Sequence, residues 1–303
     1  MDALSDILKV IKLESVVYFR KNFTKPWGME VQQGKFSQFH MVLKGNCLLK
    51  TKEFEKPKQL SAGDIVVTIN GGEHWIADSE NSPRVSGKSV VEEQVKDAVS
   101  YELKDATTTL ICGHFEFDKT IHHPFLNSLP PTIILSSTEK RELDWLETLT
   151  NVIEQETDSS KLGSDVVVTR LGELLFIHLI RNYIAKLKIS SGFLSALNDT
   201  YISLALSLMH SNPKENWTLE TIARNIGMSR AAFALKFRKI LGTTPIKYLT
   251  NWRMVKAKEY LSNSKLSIMQ VAEKVGYYSE SSFIRAFRKE YNQNPAKFRK
   301  SII

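Results

Sequence analysis

Thr218-Leu-Glu-Thr-Ile-Ala-Arg-Asn-Ile-Gly227 and Ser267-Ile-Met-Gln-Val-Ala-Glu-Lys-Val-Gly276 are two versions of one pattern. Each opens on a hydroxyl that can cap a helix. Each then runs for about eight residues and ends in a glycine that can stop it. Ala223 and Ala272 are small enough for a second helix to approach closely. The repeat distance is 49 residues up to the glycines and 50 beyond them. It pairs Phe233 with Phe283, Phe237 with Phe287, Arg238 with Arg288 and Pro245 with Pro295. Phenylalanines four apart share one helix face, so each second helix has an apolar side. This is the pattern of a helix-turn-helix, present twice.

Between the repeats lies Pro245–Leu261, with Leu249, Trp252, Val255 and Ala257 as its apolar stripe. Proline suits a first helical turn. At ~1.5 Å per residue the segment spans about 25 Å. That length suits a strut holding two helices about 34 Å apart, one turn of B-DNA.

Charge divides along the same line. The 303 residues carry a net +8, of which 1–200 contribute −4 and 201–303 contribute +12. A basic third of this size points to a polyanion, nucleic acid before an anionic membrane surface. With 42% hydrophobic residues the chain is not disordered, and 14 Gly with 9 Pro exclude a collagenous one. No apolar run reaches about 18 residues, so no membrane span is expected. The acidic start Met1-Asp2-Ala3-Leu4-Ser5-Asp6 does not read as a signal peptide. Two cysteines, Cys47 and Cys112, make no disulfide framework and fit an intracellular protein.

Residues 201–303 resemble the DNA-binding domain of the AraC/XylS family of transcription regulators. The segments that carry the likeness are Gly227-Met-Ser-Arg-Ala-Ala-Phe-Ala-Leu-Lys-Phe-Arg-Lys, Gly242-Thr-Thr-Pro-Ile-Lys-Tyr-Leu, Arg253-Met-Val-Lys-Ala, Val271-Ala-Glu-Lys-Val-Gly-Tyr, Ser282-Phe-Ile-Arg-Ala-Phe-Arg-Lys and Asn294-Pro-Ala-Lys-Phe-Arg. The resemblance implies recognition helices near 229–240 and 279–290 that enter two successive major grooves. In the first, Arg230, Ala231, Ala234 and Leu235 would face bases. In the second, Glu280, Ser281, Ser282, Ile284 and Arg285 would do so, with Arg285 suited to guanine and Glu280 to cytosine. Ser229, Arg238, Lys239, Ser279, Arg288, Lys289, Lys297 and Arg299 would meet phosphates. Phe233, Phe237, Phe283, Phe287 and Trp252 read as core.

The first two-thirds read differently. Residues 3–13 have a helical period. Short β-rich runs follow at Val16–Phe19, Phe36–Leu43, Cys47–Thr51, Asp64–Ile69, His74–Ala77, Ser100–Leu103, Thr107–Phe117 and Thr132–Leu135, punctuated by Gly and Pro. Residues 79–98 read as a long mobile loop. Helical periods return over Glu139–Glu156 and Val166–Leu187, a pair that could pack on the strands or form a dimer seam, and 188–199 reads as a hinge. Gly63-Asp-Ile-Val-Val-Thr-Ile-Asn-Gly71-Gly-Glu-His74 and Gly34-Lys-Phe-Ser-Gln-Phe-His40 resemble the two cupin motifs. In the second, Ile69 stands where proline is usual and Asp78 occupies the final Asn position. In the first, Val42 replaces the second His, and Asn46 or Cys47 stands where the Glu belongs.

The expected architecture is thus α+β in two domains. A cupin-like β-barrel with flanking helices would occupy 1–137, a helical connector 138–200, and an all-α double helix-turn-helix domain 201–303. His40, His74 and Cys112 would suit Zn if the barrel holds a metal. The alternative is a barrel that has lost its metal and keeps its histidines for hydrogen bonds. His114, His122 and His123 read as surface or turn residues, His178 as a core histidine and Cys47 as a buried small hydrophobe.

The reading is a cytoplasmic, sequence-specific DNA-binding transcription regulator, not an enzyme, controlled by a small molecule or metal sensed in the cupin domain. Its partners would be double-stranded DNA, RNA polymerase, that effector and a second copy, with no membrane. The alternative is a cupin metalloenzyme with an accessory DNA-binding domain, against which the depleted first motif argues. A DNA-repair fusion would need clustered cysteines. A peripheral membrane protein would need an amphipathic helix outside the helix-turn-helix core.

Overall fold

Alternating burial along Asn46–Thr51 marks a strand with one face turned to a core. In the computed structural model, which describes residues 2–96, 105–118, 121, 123–137, 148–149, 151–153, 155–156, 161–187, 191–263 and 265–301, such strands form two five-stranded sheets. The strands are β1 (Glu14–Phe23), β2 (Gly28–Val31), β3 (Ser37–Lys44), β4 (Asn46–Thr51), β5 (Lys58–Ser61), β6 (Ile65–Thr68), β7 (His74–Ala77), β8 (Val85–Ser86), β9 (Thr108–Glu116) and β10 (Thr132–Leu135). One sheet runs β1-β9-β3-β6-β10 and the other β5-β4-β7-β2-β8. Their shared core holds Phe19, Trp27, Met29, Val42, Leu49, Val66, Ile76, Leu110 and Cys112.

β9 is buried on both faces. The reason is the long helix Ser164–Lys186, whose Phe176 ring lies 4.9 Å from Phe115 and 5.3 Å from Phe117. Gly172 lets this helix approach β1, since a Cβ there would stand 2.2 Å from the Ser15 hydroxyl. Ser15 Oγ donates to the Thr169 carbonyl at 2.6 Å.

The contacts divide the chain into two compact units, and the division does not follow chain order. The sheets and the long helix make one, Leu13–Phe117 with Leu129–Ala185. Met1–Lys12, Asp118–Ser128 and Lys186–Ile303 make the other. In this helical unit α1 is Ala3–Val10, and the long helix of the sheet unit takes its place in chain order as α4. Between them come α2 (Gly87–Lys96) and α3 (Pro124–Ser128). After α4 follow α5 (Phe193–Asn198), α6 (Thr200–Ser211), α7 (Leu219–Asn225), α8 (Arg230–Leu241), α9 (Pro245–Asn263), α10 (Ile268–Lys274), α11 (Glu280–Tyr291) and α12 (Pro295–Lys300). α1 packs on α6 and α9, and α3 packs on α5. Buried apolar residues explain the recruitment: Ala3, Ile7 and Val10 on α1 and Phe125 on α3 have no water-facing alternative.

Several sequence expectations change here. Residues 79–98 are not a simple loop, because β8 and α2 lie within them and Val90 anchors that segment in the core at 3% exposure. β2 and β5 are short and carry too few apolar residues to register as strands in the sequence. Of the hinge expected at 188–199, residues 193–198 are helical, with Phe193, Leu194 and Ala196 buried. Ser100–Leu103 lies outside the described residues, as does most of Glu139–Glu156. Where that segment is described, it is helical.

Candidate nucleic-acid interface and sensor cavity

The two repeats build the same local structure. Thr218 and Ser267 each form a reciprocal capping box, with Thr221 and Gln270. Gly227 and Gly276 turn the chain at φ of 72° and 85°, where a side chain would be strained. Ser229 and Ser279 then cap α8 and α11, accepting from the amides of Ala232 and Ser282. Phe233, Phe237 and Ile240 bury one face of α8, and Phe283 and Phe287 bury one face of α11.

The opposite faces are solvent-exposed. On α8, Arg230, Ala231, Leu235, Arg238 and Lys239 are exposed and Ala234 is half-buried; Leu235 keeps 73% of its surface. On α11, Glu280, Ser281, Arg285, Arg288 and Lys289 are exposed, whereas Ser282 is half-buried and Ile284 packs partly against the core. Arg285 lies 3.4 Å from the Ser282 hydroxyl. Ser279 and Ser281 hydroxyls pair at 2.8 Å. Lys297 is exposed on α12. Arg299 is only half-buried, but its Nε and one terminal nitrogen are buried without a hydrogen-bond partner. Tyr278, 84% exposed just ahead of α11, was not singled out by the sequence, although a bulky aromatic between a turn glycine and a cap serine is the signal that marks it.

Among the buried aromatics of the helical unit stand two histidines. Phe125 N–H donates to His123 Nδ1 at 3.2 Å, so His123 carries its proton on Nε2, 3.3 Å from the Tyr248 hydroxyl. Tyr248 in turn reaches His210 Nε2 at 2.7 Å, and His210 stacks on Trp252 at 3.7 Å between centroids. His123 is therefore a core residue and not a surface one. His210 shares the buried face of α6 with Leu206, one turn earlier, a spacing that places it in the core.

In the sheet unit, register brings the candidate ligands together. His40 lies opposite Cys112 across the β3–β9 ladder, and His74 lies at the end of the neighbouring sheet. His74 Nδ1 donates to the Gly72 carbonyl at 2.7 Å, which leaves its Nε2 to accept from His40 Nε2–H at 2.7 Å. His40 Nδ1 then accepts from the Cys112 thiol at 3.0 Å. In this arrangement the three residues of the expected zinc set hydrogen-bond to one another. The His40 ring stands between its two partners, so the three donor atoms face different directions and share no point about 2 Å from each. Among the described residues no group of three His, Cys, Asp or Glu could hold a metal ion. Asp78, at the final position of the second motif, accepts instead from the Trp27 amide and the Ser82 hydroxyl, each at 2.7 Å.

His40 and Cys112 form part of the wall of a cavity of about 410 Å³. Tyr18, Phe19, Met29, Gln38, His40, Lys88, Val91 and Cys112 are among its lining residues. His114, expected at the surface, is buried, with its ring 4.6 Å from Phe36 and its Nε2 2.7 Å from Glu116. His178 is half-buried, and burial and Arg181 hold its pKa down. His122 lies outside the described residues. Cys47 is buried at 2% exposure, and burial pushes its thiol up to about 12.

Burial holds the His123 imidazole at about 3, against an ordinary value of 6.5. Burial also pushes His40 and His210 well below that value, and His74 below it. Unfolding restores ordinary values, so below pH 6.5 the unfolded chain binds protons that the folded chain does not. Stability is therefore complete above that pH and falls on acidification, by about 1.4 kcal/mol per pH unit for each strongly shifted imidazole. Urea midpoints should be lower at pH 5.5 than at pH 7.5; equal midpoints would refute the assignment.

A Cupin family model matches residues 2–185, and a Helix-turn-helix domain model matches residues 222–301. The chain is 30% identical to the HTH-type transcriptional regulator AlkR of Acinetobacter baylyi, covering 99% of each chain. It is 32% identical to the RCS-specific HTH-type transcriptional activator RclR of Escherichia coli, covering 100% of this chain and 98% of that one. It is 28% identical to a putative AraC-like transcription regulator of Streptomyces antibioticus, covering 99% of each. The chain belongs to the AraC-like family of helix-turn-helix transcription regulators, with a cupin domain ahead of the DNA-binding one. It is a regulator that binds double-stranded DNA and not an enzyme, so the metalloenzyme alternative falls. Among the described residues no helix is long and apolar enough to cross a membrane.

Proposed function

We propose that one chain reads two successive major grooves with α8 and α11, acting in the cytoplasm on promoters served by RNA polymerase. The observation that carries this reading is the matched exposure of the two helices. Each has a phenylalanine face sealed in a core and, opposite it, an exposed face that ends in Arg238–Lys239 or Arg288–Lys289, with Arg230 at the start of α8 and Arg285 midway along α11.

Arg285, with Glu280, Ser281 and Ser282, supplies most of the hydrogen-bonding readout. Ala231, Ala234 and Leu235 offer methyl contacts to thymine, with Ile284 contributing on α11. Ser229, Ser279, Arg238, Lys239, Arg288, Lys289, Lys297 and Arg299 anchor to phosphates, joined by Tyr278. The effector is a small organic molecule that enters the 410 Å³ cavity beside His40 and Cys112. A cavity of that size fits the range of small-ligand sites. A second copy pairs through the partly exposed apolar residues of α4, such as Val166, Val167 and Leu174.

The test is selection of random duplexes by the full chain, followed by gel shift. Arg285→Ala should weaken binding to the selected operator by about tenfold to a hundredfold, and relax the preference at one base pair of the second half-site. Uniform weakening on every sequence would mean that Arg285 contacts phosphate and not a base.

A further inference from the structure

Arg253 lies on α9, the strut between the two helix-turn-helix units, and touches both of them. Its Nε donates to the Pro213 carbonyl at 2.7 Å, and a terminal nitrogen donates to the Glu215 carbonyl at 2.8 Å. Both carbonyls belong to the loop that leads into α7. That loop is fixed in its own right. Trp217 Nε1 donates to the Asn212 carbonyl at 2.9 Å, and the Trp217 amide donates to the Glu215 carbonyl at 2.8 Å.

The same guanidinium abuts the turn of the second unit. A Cβ on Gly276 would lie 2.9 Å from an Arg253 terminal nitrogen, 3.0 Å from its Cζ and 3.0 Å from the Cα of Lys214. The ring of Tyr277 lies 6.0 Å from the Arg253 Cζ. Gly276 thus lacks a side chain where the entry loop of the first unit and the turn of the second meet around one arginine. A guanidinium is a rigid planar fork, so two hydrogen bonds to one loop fix its plane against the other.

We infer that Arg253 is a positioning residue that sets the placement of α8 relative to α11, and with it the base-pair spacing between half-sites that one chain can engage at once. The inference rests on the two-groove reading above. Two linked modules gain from each other only when their geometry lets both bind together.

The experiment uses the full-length chain and its own selected operator. The probes are that duplex, versions with one to three base pairs added or removed between the half-sites, and each half-site alone. The unsubstituted protein should lose affinity steeply when the spacing changes. Arg253→Ala should keep half-site affinity within about twofold, bind the native spacing about tenfold more weakly, and respond far less to spacing. Arg253→Lys keeps the charge and stem but loses the fork. It should show the same flattening, and it decides the matter if Arg253→Ala does not fold.

A defect in stability alone would reduce binding to every duplex by one factor and leave the spacing profile unchanged. That outcome overturns the inference while leaving the two-groove reading intact. If the unsubstituted protein is itself indifferent to spacing, the two-groove reading fails and takes the inference with it.

Discussion

Operator binding by the full chain should weaken about a thousandfold between about 50 and 200 mM salt. The expectation follows from Arg238, Lys239, Arg288, Lys289, Lys297 and Arg299, six basic side chains on or beside the proposed reading faces. Each phosphate neutralised releases condensed counterions. The slope of log affinity against log salt is about −0.9 per contact, or about −5 for the set. Because the net charge of 201–303 is +12 while that of 1–200 is −4, the effect should reside in the helical unit. Lys297→Ala should make the slope about one unit shallower with no change of sequence preference. A measured slope shallower than about −2 would show that these side chains do not neutralise phosphates. Arg299 is the residue to watch, since two of its nitrogens are buried without partners.

Phe287→Ala should cost about 3 to 5 kcal/mol of stability, a large part of what holds an ordinary domain. Phe287 is fully buried and meets Phe283 at 5.9 Å, Tyr291 at 4.7 Å and Phe298 at 5.6 Å between ring centroids. Removing the ring leaves a cavity between α11 and α12 that the strut cannot fill, because α9 already packs there with Met254, Ala257 and Leu261. Binding to the second half-site should be lost along with the fold of that unit. Urea unfolding followed by far-UV circular dichroism measures the loss. A cost under about 1 kcal/mol would mean that the site collapses around the deletion.

Both expectations come from residues that the sequence already marked. The helix-turn-helix repeat was legible because its signals are local. Hydroxyl caps, turn glycines and phenylalanines four apart act within a single turn or helix, and α8 and α11 begin at the residues those caps imply. Most strands were legible for the same reason, since a β-rich run bounded by Gly or Pro is a local property. β2 and β5 were not, because four residues with one or two apolar side chains leave no such run to detect.

By itself, then, the sequence determined the two kinds of fold, the repeat that faces DNA, the phenylalanine cores and the concentration of positive charge on the last third. Only the tertiary structure decided which distant segments meet. Nothing local in Ala3–Val10 or Asp118–Ser128 says that they join the helical unit, or that His123 shares a hydroxyl with His210 through Tyr248. Strand register brought His40, Cys112 and His74, which the sequence offers as a candidate zinc set, into one hydrogen-bonded chain. Arg253 opens one of the segments that carry the family likeness, but only the fold placed two carbonyls of one loop and Gly276 of another turn against it. The physical reason is the same in each case. Caps and periods are set by neighbours within a turn of helix or strand, whereas the direction in which a donor atom points is set by partners tens or hundreds of residues away.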